Sequence, residues 1–110
     1  MFAKHLAPMT VFIKDKDLEE LFRTGKSKKL KLPEHVVDKF FATIQKIEAA
    51  VDLHDLLADK GLRFEKLKGY DDTYSMRLNQ KYRLEMTITW TNDAQTVGDF
   101  YLITISNHYS

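Results

Sequence analysis

The sequence predicts an α+β fold in which an N-terminal strand and two or three helices pack on one face of an antiparallel sheet. Three observations carry that expectation. Apolar residues recur at helical spacing through the first sixty or so positions, and the pattern changes to two-residue alternation after Gly61. The composition, 44% hydrophobic and 12% aromatic with four Gly and two Pro, supplies a core and lacks the bias of a disordered chain. At 110 residues there is material for one hydrophobic core, so residues 1–110 read as a single domain.

The first element is a short strand over Thr10-Val11-Phe12-Ile13-Lys14, rich in β-branched and aromatic residues. Asp15 or Asp17 then caps a brief helix with Leu18, Leu21 and Phe22 on one face, and Gly25 ends it because glycine accepts the left-handed turn. The linker from Lys26 to Lys31 is basic and expected to be exposed. Pro33 suits the first turn of the next helix, where its missing N–H costs nothing. From there Val37, Phe40, Phe41, Ile44, Ile47 and Val51 form an amphipathic stripe. A third short helix carries Leu53, Leu56 and Leu57 and stops near Gly61, with His54 as a surface or capping residue.

Four strands follow, over residues 62–67, 73–79, 82–90 and 100–106. The third alternates cleanly. Tyr82, Leu84, Met86, Ile88 and Trp90 take one face, and Arg83, Glu85, Thr87 and Thr89 the other, as in a sheet covered by helices on one side. In the strand before it, Tyr74, Met76 and Leu78 are the apolar set and Ser75, Arg77 and Asn79 the opposite one. Arg77 and Arg83 should therefore share an open, exposed face. In the last strand Ile103 and Ile105 suit the core, which sends Thr104, Ser106 and His108 to the open side.

Composition also closes off chemistry. There is no cysteine, hence no disulfide, thiolate nucleophile or Cys-based metal centre. No apolar run approaches the ~20 residues that span a bilayer, and the N-terminus lacks the pattern of a signal peptide, so a cytoplasmic location away from membranes is expected. No P-loop, H-E-x-x-H or G-x-S-x-G motif occurs, and neither a metal nor a cofactor is expected. The net charge of +1 hides a basic segment. Between Lys60 and Arg83, Lys60, Arg63, Lys66, Lys68, Arg77, Lys81 and Arg83 face only Glu65, Asp71 and Asp72, a pattern that favours phosphate or an acidic partner but also decorates ordinary solvated strands.

The β-rich half concentrates Glu65, Lys68, Arg77, Arg83, His108 and Tyr109. That inventory fits RNA cleavage by internal transfer, in which a ribose 2′-OH attacks the adjacent phosphate and the 5′-oxygen leaves. The reaction needs proton transfer, for which histidine is suited near neutral pH, and cations for the charge gathering on the phosphate oxygens. Each residue has a plainer reading as well. Lys68 and Gly69 suit a simple turn, and Arg83 can pair with Glu65 or Glu85 across the sheet. Phe40, Phe41, Tyr82 and Trp90 read as core, while Tyr70, Tyr74 and Tyr109 suit either base stacking or sheet packing.

The runs Phe64-Glu65-Lys66-Leu67-Lys68-Gly69, Tyr74-Ser75-Met76-Arg77-Leu78-Asn79 and Gln80-Lys81-Tyr82-Arg83-Leu84, with the ending Ile105-Ser106-Asn107-His108-Tyr109, resemble the HigB branch of the RelE/ParE toxin superfamily. The likeness runs from about Thr10 to the end and leaves residues 1–8 outside the family core, with Met9 as an alternative start. It implies a toxin of a type II toxin–antitoxin system that cuts messenger RNA on the ribosome, neutralised by a HigA-type antitoxin with a helix-turn-helix domain. By position, Lys68 and Arg83 hold the scissile phosphate and His108 transfers the proton. Arg77, Asn79, Lys81 and Tyr109 are the corresponding candidates for RNA contact. The chain departs from the family pattern at Glu65, where a histidine is usual, and at Ser106-Asn107-His108, where many members end in D-Y-H. Those departures make Glu65 a candidate base, although a solvated carboxylate near pKa ~4.3 is a weak one unless its surroundings raise that value. The alternatives from the same fold are a ParE-like poison of DNA gyrase and a non-catalytic relative that only binds its antitoxin.

Overall fold

The structure, a computed structural model, describes residues 8–70 and 72–107. Strand β1, Thr10–Ile13, leads into helix α1, Lys16–Thr24. Asp15 starts the helix by accepting hydrogen bonds from the backbone N–H groups of Asp17 and Leu18, and Gly25 ends it at φ 79°. Leu18 and Leu21 are buried as the spacing predicts. Phe22 is not: one residue round the helix from Leu21, it sits on the flank, 46% exposed, with its ring 5.7 Å from that of Phe41.

Helix α2, Glu34–Ala49, begins one residue after Pro33, which occupies the capping position rather than the first turn. Its buried stripe is Val36, Phe40, Thr43, Ile44 and Ile47, with Val37 and Phe41 half-buried beside it. The helix stops before Val51, which drops out of the stripe and is 69% exposed. Thr43 is tolerated inside because its hydroxyl donates to the Lys39 carbonyl. Helix α3, Leu53–Ala58, is capped by Asp52 and buries Leu56, while Leu57 is exposed. The Lys26–Lys31 linker does keep its lysines in solvent, with Leu30 and Leu32 packed against the core.

The sheet consists of β1 with β2, Glu65–Lys66; β3, Thr73–Arg77; β4, Tyr82–Trp90; and β5, Gly98–Asn107. Its order is β1-β5-β4-β3-β2. The last four strands pair antiparallel as expected, but β1 lies parallel to β5, from Thr10 against Asp99 to Ile13 against Leu102. Strands so far apart in sequence are under no hairpin constraint, so the sheet is mixed, with an antiparallel body and one parallel edge. Strand β2 is much shorter than residues 62–67. A 3₁₀ turn, Lys60–Leu62, drives Leu62 fully into the core, and Arg63 follows at φ 45°, so extended backbone cannot begin until Glu65.

The core forms where the sheet meets the helices. Leu84, Met86 and Ile88 from β4 and Met76 and Leu78 from the β3 side pack against Leu18, Leu21, Phe40, Ile44 and Ile47. Phe40 is fully buried, and Phe41, Tyr82 and Trp90 are half-buried against the same cluster, as their core reading requires. In β5 the expectation of Ile103 inside is wrong. Glu85 pairs with Thr104 but Met86 with Leu102, so Ile103 is the extra residue of a bulge. The bulge lets Leu102 and Ile105 both face the core while Ile103 is 36% exposed. It also keeps Thr104 and Ser106 on the open side, opposite Glu85 and Arg83.

Candidate active site on the open sheet face

Two cross-strand rows on the face away from the core define the site. One runs Glu65, Ser75, Glu85, Thr104, and the next runs Arg77, Arg83, Ser106. Strand alternation puts these side chains on one surface, and pairing sets their neighbours. Arg77 and Arg83 share the face as expected, but Arg83 is not exposed: only 8% of it is accessible. Its Nε donates to the Ser75 hydroxyl at 2.9 Å, its Nη2 donates to the Arg63 carbonyl at 2.9 Å, and Glu65 Oε1 lies 3.6 Å from Nη2.

The cover over Arg83 comes from the segment that shortens β2. Asp59 accepts a hydrogen bond from Gly61 N–H and holds the 3₁₀ turn, Leu62 anchors it, and the left-handed Arg63 delivers its carbonyl to the guanidinium. Glu65 is shared, its second oxygen lying 3.8 Å from Arg63 Nη2. Burial pushes the Arg83 pKa below its ordinary value; Glu65 works against that shift, and the positive charges of Arg63 and Arg77 add to it. A guanidinium starts so high that it stays charged at neutral pH. Of its five N–H groups, Ser75 and the Arg63 carbonyl take two, which leaves donors for Glu65 and for an incoming anion.

The other candidates are distributed around this cluster. Lys68 occupies a tight turn closed by Tyr70 N–H donating to the Leu67 carbonyl, with Leu67 N–H donating to Thr73 beyond it. Gly69 at φ 84° supplies the positive φ that the third position of a type II turn needs. This places Lys68, which is exposed, at the opposite end of the β2–β3 hairpin from Arg77, four residues along β3 from Thr73, or about 13 Å of strand. Asn79 is committed to the β3–β4 turn. Its Oδ1 accepts from the N–H groups of Lys81 and Tyr82, and its Nδ2 lies 3.1 Å from His35 Nε2 on α2. Lys81 is exposed, with its ammonium 5.9 Å from the centre of the Tyr82 ring. Arg77 is half-buried, and its side chain makes no hydrogen bond or ion pair among the described residues. His108 and Tyr109 lie outside the described residues.

Two contributors escaped the sequence reading. Ser75 lies on the polar face that the alternation predicts, and a small hydroxyl between Thr73 and Arg77 on that face was the available signal. Arg63 appeared only within the basic run. Its contribution is a backbone carbonyl, which no residue type announces.

The family model described as the RelE-like toxin of type II toxin–antitoxin system HigB matches residues 11–104. The chain belongs to the HigB-like toxins. It is therefore a toxin of a type II toxin–antitoxin system, and an antitoxin is its partner. The fold of this HigB-like toxin is similar to that of a YoeB/ParE toxin from Agrobacterium tumefaciens, at 13% identity and TM-score 0.54, covering 92% of this chain and 100% of the other. It is also similar to that of a YoeB dimer from Staphylococcus aureus, at 20% identity and TM-score 0.56, covering 94% of this chain and 100% of the other. No curated protein matches. Among the described residues no helix of the toxin is long and apolar enough to cross a membrane.

Proposed function

We propose that this HigB-like toxin inhibits translation as an endoribonuclease that cuts messenger RNA on the ribosome. The observation that carries the reading is the Arg83 clamp: a buried guanidinium held by Ser75, Glu65 and the Arg63 carbonyl, with Arg77 directly opposite. Donors fixed before substrate arrives cost no reorganisation when charge develops on a phosphate, which is the condition under which electrostatic stabilisation counts most. In this reading the ribose 2′-OH attacks phosphorus and loses its proton, the bond from phosphorus to the 5′-oxygen breaks, and a proton reaches the leaving oxygen. Arg83 binds the non-bridging oxygens with help from Arg77, and Lys68 contributes a mobile cation from the hairpin turn. His108 is the proton-transfer group. Glu65, engaged by two guanidinium groups, chiefly fixes the plane of Arg83 and is the candidate proton acceptor nearest to it. Side chains alone supply this chemistry, without metal or cofactor. The partners in this reading are the ribosome with its mRNA and a HigA-type helix-turn-helix antitoxin, and the site of action is the cytoplasm.

The test is cleavage by purified toxin on programmed ribosomes beside free RNA, with His108→Ala run in parallel. Ribosome-dependent cuts that fade in His108→Ala are the expected result. Absence of cleavage by the folded wild-type protein would overturn the reading in favour of gyrase poisoning or antitoxin binding alone.

A further inference from the structure

The open face carries a second feature, at the β1 corner, that the phosphate site does not use. Phe12 on β1 pairs with Tyr101 on β5, which pairs with Thr87 on β4, and Thr87 lies on the same face as Glu85 and Arg83. The Phe12 and Tyr101 rings stack, with centroids 5.1 Å apart and planes 17° apart. Lys14 stands over the Tyr101 ring at 5.3 Å. Phe12 is 43% exposed although it lies in an edge strand, where an uncovered aromatic ring invites unwanted pairing. A cross-strand aromatic pair is an ordinary way to stabilise a sheet, but that role calls for neither the exposure nor the ammonium above the ring.

We propose that Phe12 and Tyr101, with Lys14, form a stacking platform for an unpaired base of the mRNA, on the same sheet face as the arginines that hold its phosphate. The proposal rests on the mRNA-cleavage reading above. Tyr101 covers one side of Phe12, and β1 is the edge of the sheet, so among the described residues no further strand covers the other. A base placed there extends a stack that already exists. Every base has a π face, so such contacts hold RNA without reading its sequence, and a sheet surface is a common support for them. Thr87 and Arg83 are four residues apart on β4, about 13 Å, a span that a few nucleotides of extended RNA cover. The acidic Glu85 and Asp99 share this face. The rings rather than net charge are thus the attraction at this corner, and Lys14 provides the local cation.

The decisive comparison uses programmed ribosomes and four variants: Phe12→Leu and Tyr101→Leu, which keep apolar bulk but remove the π face; Phe12→Tyr, which keeps it; and Phe22→Leu, which alters an exposed ring on α1. Thermal melting checks that each is folded. Phe12→Leu and Tyr101→Leu should need about tenfold more toxin for half-maximal cleavage, toward the lower end of what a lost base stack costs. Phe12→Tyr and Phe22→Leu should match wild type. On mRNA carrying abasic nucleotides around the cut, the penalty of Phe12→Leu should vanish, because the base it stacked is gone. Wild-type behaviour of Phe12→Leu overturns the platform, as does a penalty that persists undiminished on the abasic message. Weakened antitoxin binding with unchanged cleavage also overturns it and marks a protein surface instead. If wild-type toxin cuts nothing, the cleavage reading fails by itself, and binding of a single-stranded oligoribonucleotide decides the platform: weaker binding by Phe12→Leu keeps it, equal binding removes it.

Discussion

The two ends of the β2–β3 hairpin hold cations under opposite conditions. At the Arg77 end, Arg83 is sunk beneath the Arg63 segment and fastened by a hydroxyl, a carbonyl and a carboxylate. At the turn, Lys68 stands in solvent on a backbone kept in place by one glycine. A buried, fastened cation contributes both to folding and to any phosphate it binds, because removing it leaves polar groups without partners in a poorly solvated place. An exposed lysine contributes little to folding and remains free to move toward substrate. The same charge therefore has different consequences according to what surrounds it.

The largest effect that tests this contrast is Arg83→Met. It should destabilise the toxin by about 3 kcal/mol in denaturant unfolding, since Ser75, the Arg63 carbonyl and Glu65 lose their shared partner, and it should abolish cleavage as well. An unfolding midpoint equal to wild type would erase the distinction between the two ends. Ser75→Ala comes next. Without the hydroxyl that accepts from Arg83 Nε, about 2 kcal/mol should be lost, and cleavage should fall through a slower maximal rate rather than weaker binding. Full activity in this variant would mean that the guanidinium needs no such support. Gly69→Ala should cost about 1 kcal/mol, because a side chain at φ 84° is strained even though nothing crowds the position. Smallest of all in stability is Lys68→Ala, expected to unfold within about 0.5 kcal/mol of wild type while losing roughly tenfold or more in cleavage. Equal cleavage would remove Lys68 from the reaction and leave the work to the arginines.

This contrast sharpens what could be read from the chain beforehand. The face shared by Arg77 and Arg83 was legible because β4 alternates without interruption and its polar set is unambiguous. That Arg83 is covered was not legible, because the cover is a backbone carbonyl twenty positions earlier, presented by a residue at positive φ. Pairing of Arg83 with Glu65 stood among the plainer sequence readings, and the geometry places that pair at the centre of the cluster. Asn79 illustrates the reverse case. Chosen for RNA contact, it has both ends of its amide engaged by the β3–β4 turn and His35.

By itself the sequence determined what depends on near neighbours: an aspartate start for α1 at Asp15 or Asp17 and its Gly25 end, the apolar phase of α2 to within a residue, the tight turn at Lys68-Gly69, and the inside and outside of β3 and β4. These follow from capping chemistry and from the 3.6- and two-residue periods, which act over one or two turns of chain. Tertiary structure alone decided that β1 runs parallel to β5, that a bulge at Ile103 swaps Leu102 into the core, and that the Arg63 segment folds over Arg83. Each of those is a choice between distant segments competing to fill one core and satisfy one set of backbone groups. A local pattern carries no term for that competition, so it is settled only when the whole chain packs.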